Sequence, residues 1–124
     1  MIRGIGVDIV EVPRVERAVT RWGDAFLGRV FTDAERRHAG SAPGAFQRLA
    51  GRFAAKEAVM KALGLGWRSM TWREIEIGTD PLGKPIVRLS GRAAAAAARL
   101  GAGVWLVSIS HTRRLAVAQV LADG

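Results

Sequence analysis

The chain has 124 residues, with 19 Lys and Arg against 11 Asp and Glu, a formal net charge of +8 and no cysteine. This length predicts a single domain over residues 1–124, and an apolar fraction of 49% excludes an intrinsically disordered chain. The lack of cysteine excludes disulfides and thiolate metal sites, which favours a reducing, cytoplasmic setting. No apolar run is long enough to span a membrane, and early charged residues argue against a signal peptide. Most of the cations are arginine, which indicates an anionic partner such as nucleic acid, a phosphate-bearing ligand or an acidic protein.

The N-terminal segment alternates between large and small side chains, as a strand does. Residues 2–10 are predicted to form this strand. The large side chains on one face are Ile5, Val7 and Ile9. The other face carries Gly4, Gly6, Asp8 and Val10, and the glycines beside Asp8 leave room for another group to approach. A helix is predicted from Pro13 to about Trp22, because proline suits the first helical turn. Its predicted core-facing residues are Val12, Val15, Val19 and Trp22.

The middle of the chain predicts further helices. A short segment over residues 25–31 is followed by Thr32 and Glu35, whose T-x-x-E spacing forms a capping box and begins a helix. The longest helical pattern covers about residues 45–63, and Gly64 ends it.

The C-terminal half predicts mostly strands. The predicted strands cover residues 72–77, 86–89, 104–110 and 115–121, and a helix covers residues 91–100. Because helices and strands do not alternate one for one, we predict an α+β fold in which a mainly antiparallel sheet packs against the long helix.

Glu57 lies on the apolar stripe of the longest predicted helix, four residues after Phe53 and three before Met60. A carboxylate that loses water without gaining a partner is costly, so Glu57 is expected to pair with a cation or a metal ion. The candidate cations on the same helix are Arg52, Lys56 and Lys61. The helix alone leaves the structural salt bridge and the functional site as equal alternatives.

Asp8 and Glu57 are carboxylates in a chain without cysteine, a ligand set that suits Mg²⁺. Lys61 lies one turn beyond Glu57 and could act as a point charge on a phosphate. The polar residues at the end of the predicted strand 104–110 are Ser110, His111 and Thr112. They fit either an ordinary hairpin or a set of donors to a phosphate.

Arg14, Arg17 and Arg21 form one ridge on the first predicted helix. The ridge fits a solvated helix face or a patch for an acidic partner. A different hypothesis is a small RNA- or ribosome-binding module without catalysis, which gives no reason for a carboxylate on the stripe of the long helix. The dinucleotide fingerprint, the Walker loop and the His-Glu-x-x-His motif are absent.

Several ordered motifs resemble one known family over essentially the whole chain. The matching blocks are Gly4–Ile9 with Arg14, Arg29–Thr32 with Glu35, Leu49–Ala58 with Lys61–Gly64, Ile75–Ile77, Gly83–Pro85 and Val107–Thr112. The sequence resembles the holo-[acyl-carrier-protein] synthases, the small phosphopantetheinyl transferases. Two segments depart from the pattern: residues 66–70 replace a more glycine-rich loop, and Leu115 stands where an aromatic residue is common.

The resemblance implies transfer of 4′-phosphopantetheine from coenzyme A to a serine of apo-acyl carrier protein, with release of adenosine 3′,5′-bisphosphate. It implies Mg²⁺ held by Asp8 and Glu57, with Lys61 neutralising pyrophosphate charge. The proton acceptor is either Glu57 or a water. The residues implied to line the coenzyme A site are Gly83, Lys84, Pro85, Ser110, His111 and Thr112, with Arg52 near the nucleotide phosphates. The arginine ridge is implied to meet the acidic carrier protein, and the short chain resembles homotrimeric members whose active sites lie between subunits.

Overall fold

The computed structural model describes residues 1–41 and 43–124. Its elements, in chain order, are β1 (Ile2–Glu11), α1 (Val12–Trp22), α2 (Asp24–Val30), α3 (Asp33–Ala39), α4 (Ala45–Leu63), a 3-10 turn (Trp72–Glu74), β2 (Ile75–Thr79), β3 (Pro85–Leu89), α5 (Gly91–Leu100), β4 (Val104–His111) and β5 (Leu115–Asp123). Antiparallel pairing gives one sheet in the order β1-β5-β4 and a separate β2-β3 hairpin. The predicted α+β class is confirmed.

The predicted strand over residues 72–77 is wrong in its first half. Trp72–Glu74 forms a 3-10 turn because Thr71 and Glu74 make a capping box, in which the Thr71 N–H donates to the Glu74 carboxylate at 2.6 Å. The short segment after α1 is helical from Asp24 to Val30. The capping box of Thr32 and Glu35 is confirmed at the start of α3.

Helix α4 lies directly on the β1-β5-β4 sheet because small residues line the contact. A Cβ atom on Gly6 would collide with the carbonyl oxygen of Ala58, and one on Gly4 with that of Ala62. The facing residues of β5 are fully buried and mostly alanine: Ala116, Ala118, Val120 and Ala122. Two backbones therefore approach closely, and the side chains of β1 and α4 meet at short range.

The opposite face of the same sheet is uncovered and apolar. Ile5, Val7 and Ile9 of β1 are 60%, 53% and 66% exposed. The exposed apolar side chains on the other two strands are Val104, Leu106 and Leu115. Exposed apolar side chains grouped on one face are typical of an interaction surface.

Trp22 does not face the core, contrary to its prediction. Val12 and Val15 are 3% and 2% exposed, whereas Trp22 at the end of α1 is 57% exposed. The helical period is correct, but the last turn of α1 extends past the core. The guanidinium of Arg21 lies 4.9 Å from the centre of the Trp22 ring.

A buried ion pair joins α3 and α4. Lys56 and Glu35 have fully buried side chains, and the Lys56 Nζ lies 2.7 Å from Glu35 Oε1. The ammonium also donates to three backbone carbonyls, those of Val30, Trp72 and Ile75, at 2.7 to 3.0 Å. Glu35 in turn accepts from the N–H groups of Thr32 and Ile77, both at 2.8 Å. Every polar atom of this cluster has a partner, as burial requires.

Candidate active site

Asp8 and Lys61 meet where β1 crosses the C-terminal half of α4. Asp8 shares the strand face of Gly4 and Gly6, so it points toward the helix. The Lys61 Nζ lies 3.0 Å from Asp8 Oδ1 and also donates to the Val7 carbonyl at 3.0 Å. The Lys61 side chain is 55% exposed, so this ion pair is open to solvent.

Glu57 lies one turn before Lys61 on α4 and is half-buried. Burial raises the pKa of the Glu57 carboxyl, and the nearby negative charge of Asp8 raises it further. The charges of Arg14 and Lys61 lower that pKa, but by smaller amounts. Glu57 is therefore a carboxylate held close to a second carboxylate.

The structural salt bridge considered for Glu57 is not formed in the described part of the chain. Lys61 pairs with Asp8, and Lys56 pairs with Glu35. Arg52 donates to the hydroxyl of Thr79 instead. All three candidate cations are thus engaged elsewhere, which favours the functional interpretation of Glu57.

The donor set fits a hard cation that also binds substrate phosphates. Asp8 and Glu57 supply two carboxylates that repel each other in the absence of a cation. Within residues 1–41 and 43–124, no group of three or more His, Cys, Asp or Glu side chains could enclose a metal ion. Mg²⁺ suits such a site, because one or two carboxylates, waters and phosphate oxygens usually complete its shell.

An aromatic stack forms a wall beside Glu57. The Trp67 and Trp72 rings lie 3.6 Å apart at 22°, and Trp72 lies 4.8 Å from Phe53 at 28°. The Arg14 guanidinium lies 5.7 Å from the centre of the Phe53 ring. The Trp67 side chain lowers the pKa of the Glu57 carboxyl, by less than the charges of Arg14 and Lys61 do. Sequence reasoning missed this aromatic stack, and the departure of residues 66–70 from the family pattern was its only signal.

A second cluster surrounds Arg52, at the N-terminal half of α4. Arg52 is 7% exposed, and its guanidinium donates to Thr79 Oγ1 at 3.1 Å. Its Nε is buried and has no hydrogen-bond partner among the residues that the structure describes. Thr79 ends β2 and leads into the turn that contains the predicted Gly83, Lys84 and Pro85. Asp80 holds this turn by accepting from the Lys84 N–H at 2.8 Å.

The predicted polar residues at the end of β4 form part of an ordinary hairpin. Thr112 Oγ1 accepts from the N–H groups of Arg114 and Leu115 at 3.3 and 3.1 Å. Ser110 and His111 are exposed. Ile109 contacts the position of Gly51, so this end of β4 lies under the N-terminal half of α4.

Asp8 and the predicted residues Ser110 and His111 lie on the two edge strands of one sheet. Asp8 belongs to β1 and His111 to β4, and the sheet order places β5 between these strands. The structure therefore brings Asp8, Glu57 and Lys61 together on the β1 side, whereas Ser110 and His111 lie on the other edge strand.

The arginine ridge on α1 divides into two parts. Arg14 turns toward Phe53, and its charge acts on Glu57. Arg17 and Arg21 instead line an open cavity of about 640 Å³, together with Trp22. One end of the ridge thus reaches the carboxylate cluster, and the other end lies on the outer surface.

Comparisons with known proteins assign the family. The model of the 4′-phosphopantetheinyl transferase superfamily matches residues 4–118. A holo-[acyl-carrier-protein] synthase from Koribacter versatilis is 48% identical, over 99% of both chains. This chain is a holo-[acyl-carrier-protein] synthase family member. A second member, from Solidesulfovibrio magneticus, is 49% identical over 100% of both chains.

Solved structures of the same family share the fold. The synthase from Neisseria meningitidis matches with a TM-score of 0.89 and 38% identity over 100% of both chains. A synthase from Bacillus anthracis in complex with CoA (3',5'-ADP) matches with a TM-score of 0.82 and 36% identity, over 100% of this chain and 98% of that one. These comparisons give no support to the RNA-binding hypothesis. No helix in the described ranges is long and apolar enough to cross a membrane.

Proposed function

We propose that this chain transfers 4′-phosphopantetheine from coenzyme A to a serine hydroxyl of apo-acyl carrier protein, releasing adenosine 3′,5′-bisphosphate. The observation that carries the proposal is the cluster of Asp8, Glu57 and Lys61, in a chain of the synthase family. A family structure from Helicobacter pylori in complex with coenzyme A, 31% identical to this chain, supports the same co-substrate.

Asp8 and Glu57 are the residues that would hold Mg²⁺. The ion would neutralise charge on the pyrophosphate of coenzyme A. Lys61 lies 3.0 Å from Asp8 with its side chain half exposed, so its ammonium can reach a phosphate oxygen beside the carboxylates. Its positive charge stabilises the negative charge that builds up on the departing phosphate.

The metal assignment is tested by Asp8→Ala and Glu57→Ala. We expect each to abolish transfer to an apo-acyl carrier protein, measured by mass spectrometry as loss of the phosphopantetheine gain, in a protein that still folds. Asp24→Ala is the control, because Asp24 is an exposed carboxylate paired with Arg36 at 2.7 Å. Full activity in either site variant contradicts the assignment.

The coenzyme A site is completed between subunits of a homotrimer. Three observations support this part of the proposal: Asp8 and His111 lie on opposite edge strands, one sheet face is apolar and exposed, and the buried Arg52 Nε has no partner among the described residues. A head-to-tail contact would set the β1 edge of one chain beside the β4 edge of the next, and such contacts form a closed ring when the rotation between neighbours is one third of a turn. Asp8 of one chain would then share a substrate with Arg52 and His111 of its neighbour.

Mixed assemblies test the shared site. Asp8→Asn chains and Arg52→Ala chains, each inactive alone, are co-expressed. We expect the mixture to regain about a quarter of normal activity, because one contact in four pairs two intact edges. Mixing Asp8→Asn with Glu57→Gln is the control and regains nothing, because both changes affect the same edge. Equal results from the two mixtures contradict a shared site, and light scattering measures the number of chains.

The acidic carrier protein is proposed to bind the arginine ridge. Arg17 and Arg21 are exposed and line one cavity, so they can meet carboxylates without rearrangement. Charge reversal at Arg17 and Arg21 should raise the KM for the carrier severalfold and leave the KM for coenzyme A unchanged. Arg99→Glu on α5 is the matched control. A rise in the KM for coenzyme A instead would show that the ridge serves the cofactor.

A further inference from the structure

We propose that Trp22 is an apolar anchor for the acidic carrier protein, and that the arginines around it form the charged rim of that contact. This inference rests on the proposed function, because it names a residue by which the proposed partner is recognised. It goes beyond the arginine ridge, because it assigns a salt-independent part of the affinity to an uncharged side chain.

Trp22 lies at an exposed corner between two helices. Helix α1 ends at Trp22, Gly23 turns the chain with a φ of 54°, and α2 begins at Asp24. The indole is 57% exposed, whereas Val15, two turns earlier on α1, is 2% exposed. Because single exposed apolar side chains are common in soluble proteins, what distinguishes Trp22 is its surroundings.

Two cavities border the indole. The first, of about 640 Å³, lies along α1, and its wall includes Ala18 and Trp22. The second, of about 300 Å³, is lined by Trp22, Ala25, Phe26 and Arg29. Among the residues that the structure describes, only Trp22 lines both, so a partner side chain that enters either cavity contacts the indole. Covering the rest of the ring would remove a large apolar area from water and stabilise the complex.

Three exposed arginines surround this apolar centre. Arg17 and Arg21 line the first cavity, and Arg29 lines the second. Within the described ranges, none of the three forms an ion pair. Glu16 is the only carboxylate that the described residues contribute to the two walls. The Arg21 guanidinium lies 4.9 Å from the centre of the Trp22 ring, which places a positive charge directly beside the apolar surface.

An apolar centre with a cationic rim fits a surface that carries an apolar side chain among carboxylates. Tryptophan and arginine are the residues on which the affinity of protein interfaces most often depends. The proposed carrier is acidic, so its carboxylates complement the three arginines. A nucleotide base can also stack on an indole, but Arg21 already lies over the Trp22 ring. These observations favour an acidic protein over RNA.

The indole and the arginines should contribute to binding in different ways. Attraction between exposed charges weakens as salt rises, because ions screen it. Burial of apolar area does not depend on charge and is not screened. Removal of Trp22 should therefore weaken carrier binding at any salt concentration, whereas removal of Arg17 should weaken it mainly at low salt.

Four variants of the full chain separate these contributions. Trp22→Ala removes the indole, and Trp22→Phe keeps an aromatic ring. Arg17→Ala removes one charge from the rim. Leu82→Ala is the control, because Leu82 is an apolar side chain that is 95% exposed and lines neither cavity.

The readout is the Kd for apo-acyl carrier protein, measured by isothermal titration calorimetry. Adenosine 3′,5′-bisphosphate is present in place of coenzyme A, so no transfer occurs. Titrations are run at about 0.05 M and about 0.3 M salt, between which the screening length changes about twofold.

We expect Trp22→Ala to raise the Kd about tenfold at both salt concentrations, and Trp22→Phe to raise it about threefold. Arg17→Ala should raise the Kd severalfold at the lower concentration only. Leu82→Ala should bind as the parent does. All four unfolding midpoints should stay close to that of the parent, because every substituted side chain is exposed.

Three results overturn the inference. Parent-like carrier binding by Trp22→Ala shows that the indole contributes no affinity, and weaker binding of a single-stranded oligouridine by the same variant would assign the indole to RNA. A loss in Trp22→Ala that disappears at the higher salt shows that Trp22 serves only to hold Arg21. An equal loss in Leu82→Ala shows that the effect is not specific to this corner.

A parent protein that does not bind the carrier contradicts the proposed function itself, and the role of Trp22 with it. That outcome is recognised from the parent alone, independently of the Trp22 variants.

Discussion

Helix α4 contributes a lysine to each of two lysine–carboxylate clusters, which differ in burial and in the number of hydrogen-bond partners. Lys56 and Glu35 are fully buried, 2.7 Å apart, and surrounded by backbone partners. Lys61 and Asp8 are 3.0 Å apart and partly open to solvent, and Glu57 beside them lacks an ion pair among the described residues. The first cluster has no capacity left for a ligand. The second has carboxylate oxygens to offer, which is the physical difference between a structural pair and a binding site.

The Lys56–Glu35 pair and the Lys61–Asp8 pair lie on different sides of α4 because of the helix period. Successive residues on a helix point about 100° apart, whereas residues four apart share a face. Lys56 therefore points toward α3 and β2, while Glu57 and Lys61 point toward β1. Adjacent positions in the sequence serve different parts of the molecule.

The largest expected effect comes from breaking the buried pair. Lys56→Met should destabilise the fold by about 3–5 kcal/mol, because Glu35 would stay buried without its cation. Denaturant unfolding measures the loss. Activity per folded molecule should be unchanged. The double variant Lys56→Met with Glu35→Leu should recover part of the stability, and failure to recover any would assign the loss to the unsatisfied carbonyls instead.

The corresponding substitution in the cluster of Asp8, Glu57 and Lys61 should leave stability nearly unchanged and remove activity. Lys61→Met removes a solvent-exposed ion pair, which contributes no more than about 1 kcal/mol. Transfer should fall by about a hundredfold or more, because the charge on the departing phosphate loses its stabilisation. Transfer to apo-acyl carrier protein and the free energy of unfolding are measured for both lysine variants. If Lys56→Met and Lys61→Met lost the same one of these two properties, the two clusters would not differ in the way described.

A substitution at the close contact between β1 and α4, which places Asp8 beside the helix, should have an intermediate effect on stability. Gly6→Ala should cost about 1–3 kcal/mol and lower activity, since its Cβ meets the backbone of Ala58, which cannot move aside. Gly51→Ala is the comparison within the same interface: its Cβ would lie 2.8 Å from Ile109 Cγ2, a side-chain atom that can shift. If the unfolding midpoints of Gly6→Ala and Gly51→Ala fell equally, the contact of Gly6 with the helix backbone would not be more costly to disturb than a side-chain contact.

The smallest expected effect is a gain in the stability of the fold when the negative charge of Glu57 is removed. Burial and Asp8 raise the pKa of Glu57, so its ionised form is disfavoured in the folded state. The cost is present above that raised pKa and disappears once pH falls below the ordinary carboxyl pKa, where both states are protonated. Glu57→Gln should therefore raise the unfolding midpoint of the metal-free protein by about 2 °C near pH 7.5, and the difference should vanish in acid.

Glu16→Gln provides the control for this measurement. Glu16 is an exposed carboxylate on α1, so its neutralisation should leave the midpoint nearly unchanged at either pH. A fall in the midpoint of Glu57→Gln near pH 7.5 would mean that the charge of Glu57 stabilises the fold.

Local signals predicted most of the fold. The long helix was predicted over residues 45–63 and begins and ends there, because Gly64 adopts the left-handed conformation that stops a helix. The 3-10 turn was missed although Thr71 and Glu74 repeat the T-x-x-E spacing found at Thr32. The exposure of Trp22 depends on how far its neighbours extend, which periodicity does not report.

Residues of the candidate site could be predicted only where a charged side chain lies in a sequence pattern that is otherwise apolar or small. Glu57 stood out as a carboxylate on an apolar stripe, and Asp8 as a charge among strand glycines. Strand order is non-local, so the position of His111 on the far edge from Asp8 required the structure. The magnesium ion, the homotrimer and the cytoplasmic setting stay predictions.

The residue count of α4 is constrained along its whole length. A single inserted residue would rotate everything after it by about 100°. Placed between Arg52 and Lys56, it would turn the ammonium of Lys56 away from Glu35 and carry Glu57 and Lys61 off the β1 side. The same shift would leave bulkier side chains facing Gly6. Insertions and deletions among related chains should therefore fall in connections such as residues 64–71 or 80–84, and bypass residues 45–63.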